Sequence, residues 1–199
     1  MDTLEAIRTR RSIRQFLNKD VDVAILKQII EAGMRAPSSK NTQPWHFLVL
    51  KGKKKNSVVN IVEEEFPKRK SIYRKGKIEK SSTLDSCKFT KEAPVLILIF
   101  NKAPYTFGED NVINDCSHEA LLAWTVEVQS VSAAIENMLL AIQSLGLGAC
   151  WLADFNFARK RICEYLNCKH DFLGGIALGY PKISVPSRDI PAVNIDIQE

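Results

Sequence analysis

Ala36-Pro37-Ser38-Ser39-Lys40-Asn41-Thr42-Gln43-Pro44-Trp45 is the stretch on which the reading of this chain turns. A helical pattern ends just before it, and an apolar strand pattern, His46-Phe47-Leu48-Val49-Leu50, follows. Pro37 and Pro44 each remove a backbone donor and fix φ, so a helix cannot run through the segment. What is left is a stiff loop of hydroxyls and side-chain amides. Asn41 and Gln43 each offer a donor and an acceptor, which suits the edge of a heteroaromatic ring or a polyol. On composition alone the stretch also reads as an ordinary helix-to-strand turn.

Working outward, a second polar cluster lies near the start, Arg8-Thr9-Arg10-Arg11-Ser12-Ile13-Arg14. Guanidinium forks match phosphate oxygens in a bidentate way, and serine adds a hydroxyl donor. Taken alone, the cluster is equally a solvated basic turn. Further on come Gly146-Leu147-Gly148-Ala149-Cys150-Trp151, then a Gly179-Tyr180-Pro181 turn with Arg188 shortly after.

Taken together, Arg10-Arg11-Ser12-Ile13-Arg14, the proline–serine–serine loop into Gln43-Pro44-Trp45, the Gly146–Trp151 segment and the closing turn resemble the FMN-dependent nitroreductase family. The resemblance implies an α+β fold: a central mixed, mainly antiparallel sheet flanked by helices, in an intertwined homodimer with C-terminal strand exchange. It implies FMN as cofactor, with NADH or NADPH as electron donor. Arg10, Arg11, Ser12, Arg14 and Arg188 would hold the phosphate and ribityl oxygens. Asn41 and Gln43 would address the ring edge, and Pro37, Ser38 and Ser39 would come from the other subunit. Trp151, Leu152 and Ala153 would run past the reactive flavin nitrogen N5, where a backbone N–H donates to it. Some relatives carry an acidic residue at the place of Ala153, whereas here Asp154 comes one position later. Where relatives set an asparagine and a lysine against the ring, this chain has Ser86 and Phe89, with Lys88 and Lys91 nearby.

Composition agrees with a single domain spanning residues 1–199. A chain of 199 residues can bury a real core, and 45% hydrophobic with 26% charged residues is ordinary for a globular protein. No apolar run reaches the roughly 18–20 residues of a membrane span. The first residues show no apolar signal region, and the five scattered cysteines form no disulfide framework, so a reducing cytoplasm is expected. A net charge of +5 favours anionic ligands without arguing for nucleic acid.

Along the chain, a short helix ending near Arg10 or Arg11 comes first. An amphipathic helix capped by Asp22 follows, with Leu26, Ile29, Ile30 and Gly33 on its buried face. The strand from Trp45 reads as buried. Lys51 to Lys55 reads as a turn and Val58 to about Phe66 as a helix. Pro67 to Ser82 is a basic, solvated segment. Ala93 to Phe100 reads as a central strand. A long helix capped by Asp115 and ending near Leu145 is apolar nearly all round in its second half, which suggests a subunit interface. Ala149 to Ala153 is a short strand, Asn156 caps a helix to about Leu166, and Phe172 to Tyr180 is a last strand. Val193, Ile195 and Ile197 alternate with polar residues, as an edge strand added to a partner's sheet would. Tyr105, Phe107 and Trp124 are candidates for a lid over the acceptor.

Several chemistries are excluded or weakened. The sequence has no G-x-S-x-G elbow, no P-loop and no H-E-x-x-H. Cys163, Cys168 and His170 match no zinc spacing, so no metal is expected. The two glycines of Gly146-Leu147-Gly148 lie between helix and strand, the reverse of a dinucleotide fingerprint. A chain with no evident nucleophile or base suits a cofactor that carries the chemistry itself. The expected activity is ping-pong hydride transfer from NAD(P)H to a nitroaromatic, quinone or activated alkene. The alternatives are a flavin enzyme of this fold that dehalogenates or fragments flavin, and a non-enzymatic module that binds a polyanion through the basic stretch.

Overall fold

The run Val95-Leu96-Leu98-Phe100 and its alternate partners Ile97 and Ile99 set the layout, because no residue of this strand is exposed. Side chains alternate across a strand, so it must be covered on both faces. The computed structural model, which describes residues 1–68, 80–102, 118–186, 196 and 198, meets this demand with three layers. Leu96, Leu98 and Phe100 face a core built with Val58, Val62, Cys87 and Ile162. Val95, Ile97 and Ile99 face a second core built with Leu26, Ile29, Ile135 and Met138. Each such fully buried aliphatic side chain contributes about 1.5–3 kcal/mol relative to exposure.

The described elements run α1 (Thr3–Thr9), α2 (Val23–Met34), β1 (Trp45–Lys51), α3 (Gly52–Glu65), α4 (Lys80–Glu92), β2 (Val95–Asn101), α5 (His118–Ser144), β3 (Gly148–Leu152), α6 (Arg159–Leu166) and β4 (Asp171–Gly179). Short 3-10 turns lie at Ser39–Asn41, Phe66–Lys68 and Ala153–Ala158. The strand order is β1-β2-β4-β3, and every neighbouring pair is antiparallel. The expected α+β sheet is therefore present, with a single parallel bridge, Ser12 to Ala149, among its described additions.

Helix α2 begins where Asp22 accepts the amide of Ala24 at 2.6 Å, as the capping residue predicts. It crosses α5 closely at Gly33, where a Cβ would stand 2.7 Å from Met138 Cγ. Helix α5 ends at Ser144, and Gly146 just beyond it has a φ of +73°, which suits glycine.

Four expectations need correction. Lys51–Lys55 is not a turn: α3 starts at Gly52, and Lys55 is buried. Its ammonium donates to the carbonyls of Thr90, Lys91 and Ala93 at 2.8, 2.6 and 2.5 Å, closing the end of α4. Helix α4 has no clear sequence signal, because its buried positions mix Thr83 and Thr90 with Cys87 and Phe89 while Leu84 is exposed. Among the described residues strand β1 is an edge rather than a fully buried strand, and His46 on it is exposed. Asn156 does not cap a helix: its side-chain amide donates to the carbonyl of Phe172 at 2.8 Å, and α6 starts at Arg159. The expectations for Asp115, for Tyr105 and Phe107, for Arg188, for residues 69–79 and for the Val193–Ile197 alternation lie outside the described residues.

Candidate active site

The first half of the site forms along the outer side of β3. The amide of Ile13 donates to the carbonyl of Ala149 at 2.8 Å. Gly148 makes this approach possible, since a Cβ there would meet Ile13 Cγ1 at 2.7 Å. The chain then runs past the end of β4. Leu17 donates to the carbonyl of Tyr180 at 2.9 Å, Lys182 donates to that of Gln15 at 3.0 Å, and Phe16 bridges to Pro181. Residues 12–17 and 180–182 are thus laid side by side, so segments far apart in the sequence meet here.

Arg10, Ser12 and Arg14 gather around Cys150. Burial, and after it the charge of Asp154, push the Cys150 thiol up, while the charge of Arg14, a hydrogen bond with Ser12 and the charge of Arg10 act in the opposite direction. Arg14 is exposed, and Arg10 is only loosely held by Glu136, at 3.8 Å. Exposed Arg14 and half-buried Arg10 and Ser12 have the chemistry of a donor set for a phosphoryl group.

Arg11 is turned elsewhere. Its Nε donates to the carbonyl of Pro186 at 3.1 Å and its Nη1 to that of Arg10 at 2.6 Å. It ties the motif to the loop after β4 and borders a groove of about 600 Å³ with Ile13, Leu147 and Lys182. On the same strand, Trp151 is exposed and Leu152 buried, and Ala153 opens the turn that follows.

The second half is the loop between α2 and β1. Lys40, Asn41 and Gln43 hold φ of 50°, 54° and 46°. Left-handed conformations cost a residue with a Cβ about 1–2 kcal/mol each. The loop is pinned by specific bonds: the amide of Gln43 donates to Ser38 Oγ at 3.0 Å, and Gln43 Nε2 donates to Asn41 Oδ1 at 3.2 Å. The Ser39 amide donates to Ser130 Oγ of α5 at 3.4 Å. Pro37, Asn41 and Gln43 are exposed. The loop is thus polar, strained and turned outward.

Among the described residues, the two halves stand at opposite edges of one sheet. Loop 36–44 leads into β1 and the arginine–serine motif lies on β3, with β2 and β4 between them. Three strand spacings separate those edges, about 14 Å.

A buried polar group supports the loop end of the sheet and had no signal in the sequence. Asn101 Nδ2 donates to Glu127 Oε2 at 2.8 Å, and Trp124 Nε1 donates to Asp171 Oδ2 at 3.2 Å. Arg159 stands 3.6 Å from Asp171 Oδ1. Burial pushes both carboxyls up, against the hydrogen bond from Asn101 to Glu127 and that from Trp124 to Asp171. Trp124, a lid candidate, is thereby tied to the start of β4. Of the residues near the ring position expected in α4, Phe89 is in the core, Lys88 lies 3.5 Å from Asp85, and Lys91 pairs with Glu63 at 2.7 Å.

Comparison with known proteins gives a consistent picture. A sequence profile described as Nitroreductase family matches residues 7–180. A Methanothermobacter thermautotrophicus protein, provisionally named NADH dehydrogenase/NAD(P)H nitroreductase, is 33% identical over 96% of this chain and 83% of its own length. Iodotyrosine deiodinase 1 of Sus scrofa is 29% identical over 96% of this chain, which spans 65% of that protein. The crystal structure of a nitroreductase with bound FMN from Bacteroides fragilis superposes with a TM-score of 0.70 at 25% identity, covering 100% of both chains.

Proposed function

The chain belongs to the nitroreductase family, and from that premise we propose that it is an FMN-dependent NAD(P)H oxidoreductase acting as a homodimer. Arg10, Ser12 and Arg14, joined by Arg188, hold the flavin phosphate. Trp151, Leu152 and Ala153 lie along the ring. Pro37, Ser38, Ser39, Asn41 and Gln43 reach the same ring from the second subunit. Asn41 and Gln43 share one short loop with the serines, so they come from that subunit too. Arg11 braces the motif against the loop after β4.

One observation carries this reading: the two halves of the site occupy opposite edges of the sheet, each open and each polar in a way that suits a different part of FMN. A second copy, turned by a two-fold axis, brings a β1-edge loop to a β3 edge twice over. The bound flavin would take hydride from NAD(P)H and pass two electrons to a nitroaromatic, quinone or activated alkene. The chain's own contribution is to bind and orient. The arginines fix the phosphate end, the backbone after β3 offers an N–H to the ring, and the strained amide loop meets the ring edge without rearranging. The free thiols of Cys87, Cys150, Cys163 and Cys168 suit a reducing cytoplasm.

The similarity to iodotyrosine deiodinase 1 supports a second reading, reductive dehalogenation at the same site. The experiment is to purify the protein, identify any released chromophore, and assay NAD(P)H oxidation with a quinone, a nitroaromatic and a halogenated phenol. A yellow dimer that turns over the first two supports the reductase reading. Turnover of the halophenol alone supports the second. A colourless protein that takes up no added FMN overturns both.

A further inference from the structure

Helix α6 closes on a turn that carries two cysteines. Asn167, just beyond the helix, is left-handed, at φ 49° and ψ 44°. Its amide donates to the carbonyl of Glu164 at 3.2 Å, and the amide of Cys168 donates to the carbonyl of Cys163 at 2.9 Å. These are the paired bonds of a Schellman ending, which sets the side chains at its two ends against each other. Here those side chains are Cys163 and Cys168, and both thiols are free. With 2.9 Å between amide and carbonyl, standard bond lengths keep the two Cα atoms within about 6.8 Å, inside the span that disulfides bridge.

The turn holds one thiol inside and leaves the other reachable. Cys163 is buried in the core under α6, whereas Cys168 is half-buried and packs against the same core. Burial first, then the charges of Cys168 and Asp171, push the Cys163 thiol up to about 12. A backbone hydrogen bond at Phe172 and the charge of Arg159 act the other way. Cys163 is therefore a poor nucleophile toward a dissolved oxidant, and the first attack falls to Cys168. Cys163 Sγ donates to the carbonyl of His170 at 3.5 Å, and the ring of His170 lies 5.1 Å from that of His46 on β1.

We propose that Cys163 and Cys168 form a reversible disulfide driven by hydrogen peroxide, stapling the end of α6 to the strap that leads into β4. The Cys168 sulfur attacks peroxide and the O–O bond breaks. One oxygen stays on sulfur as a sulfenic acid, and the other leaves as water with the thiol proton. The Cys163 sulfur then attacks the sulfenic sulfur. The S–S bond forms, the S–O bond breaks, and hydroxide departs as water with the Cys163 proton. Two thiols lose two electrons, and one peroxide becomes two waters. A small dithiol reverses the bond by exchange. In reducing surroundings such bonds are transient and report oxidation. Closure also removes the S–H that donates to the His170 carbonyl.

The test treats the folded full chain with dilute peroxide, alkylates the remaining thiols and maps the peptides by mass. Trypsin cuts after Arg161 and Lys169, so both cysteines fall in one peptide, residues 162–169. The expected product is that peptide two hydrogens lighter and unalkylated, restored by dithiothreitol, and formed several-fold faster in the folded chain than in urea. The urea midpoint should be higher for the oxidised protein than for the reduced one. In Cys168→Ser the same treatment should leave Cys163 free and alkylated. Cys168 oxidised to a sulfinic acid beside a free Cys163 overturns the proposal. So does a bond that forms no faster in the folded chain than in urea, which would make it a product of short chain separation alone.

Discussion

The amide of Ile13 donates to the carbonyl of Ala149 at 2.8 Å, and through that bond the arginine–serine motif becomes an extra rung on the edge of β3. The relationship depends on the absence of a side chain at Gly148. Gly148→Ala is expected to push Ile13 away and destabilise the fold by about 1–3 kcal/mol, the usual cost of overpacking. FMN affinity should fall further than that of a surface control. Urea unfolding and flavin titration measure the two effects, and an unchanged affinity would separate the motif from the flavin.

Ser38→Ala removes the acceptor of the Gln43 amide at the turn where three residues with side chains have positive φ. The expected loss is about 1 kcal/mol in stability. Flavin affinity should drop several-fold, because a relaxed loop must be reordered on binding. Fluorescence titration of apoprotein with FMN checks it.

Lys55→Met should destabilise the protein, since three carbonyls at the end of α4 lose their donor. Burial holds the Lys55 ammonium down at about 8, against 10.5 in the unfolded chain. Between those values the unfolded chain binds the extra proton, so wild-type stability contributed by this group rises with pH. The gap between wild type and Lys55→Met should therefore widen from pH 7.5 to 9.5 in urea unfolding, and a constant gap would contradict it.

Glu127→Gln carries the opposite sign. Burial raises the Glu127 carboxyl, so the folded state holds the proton more tightly than the unfolded chain, whose value is near 4.5. Its contribution is fully present below that value and is lost as pH rises. Relative to wild type, Glu127→Gln should gain stability as pH rises from 4 to 7, and the two should converge near pH 4.

Much of the fold could be read from residue patterns, and the exceptions share a cause. The Asp22 cap, the double-faced apolar run of β2 and the glycine stop after α5 are local signals, and each matches the structure. Hydrophobicity reports which faces of a strand are covered, not whether its backbone has a neighbour on each side. Trp45–Leu50 therefore reads as buried although β1 is an edge among the described residues. Lys55 read as part of a turn because its partners lie about thirty-five residues away on α4. In the candidate site, Ser12 and Gln43 stand out only through the family resemblance, since residue type and spacing alone fit a solvated basic turn and an ordinary helix-to-strand turn. The Asn101–Glu127 and Trp124–Asp171 bonds have no signal in the sequence, since only folding brings those residues together.

The central claim is that one flavin is held by the β3 edge of one subunit and the β1 loop of the other. Two variants test it: Arg10→Glu with Arg14→Glu, which spoils the phosphate end, and Asn41→Ala with Gln43→Ala, which spoils the loop. Each alone should form dimers that bind little FMN. Co-expressed with different tags and purified as mixed dimers, they should regain one complete site, made from the intact edge of one chain and the intact loop of the other. Recovery of flavin at one per mixed dimer is the predicted result. Mixed dimers as empty as either parent would contradict the account.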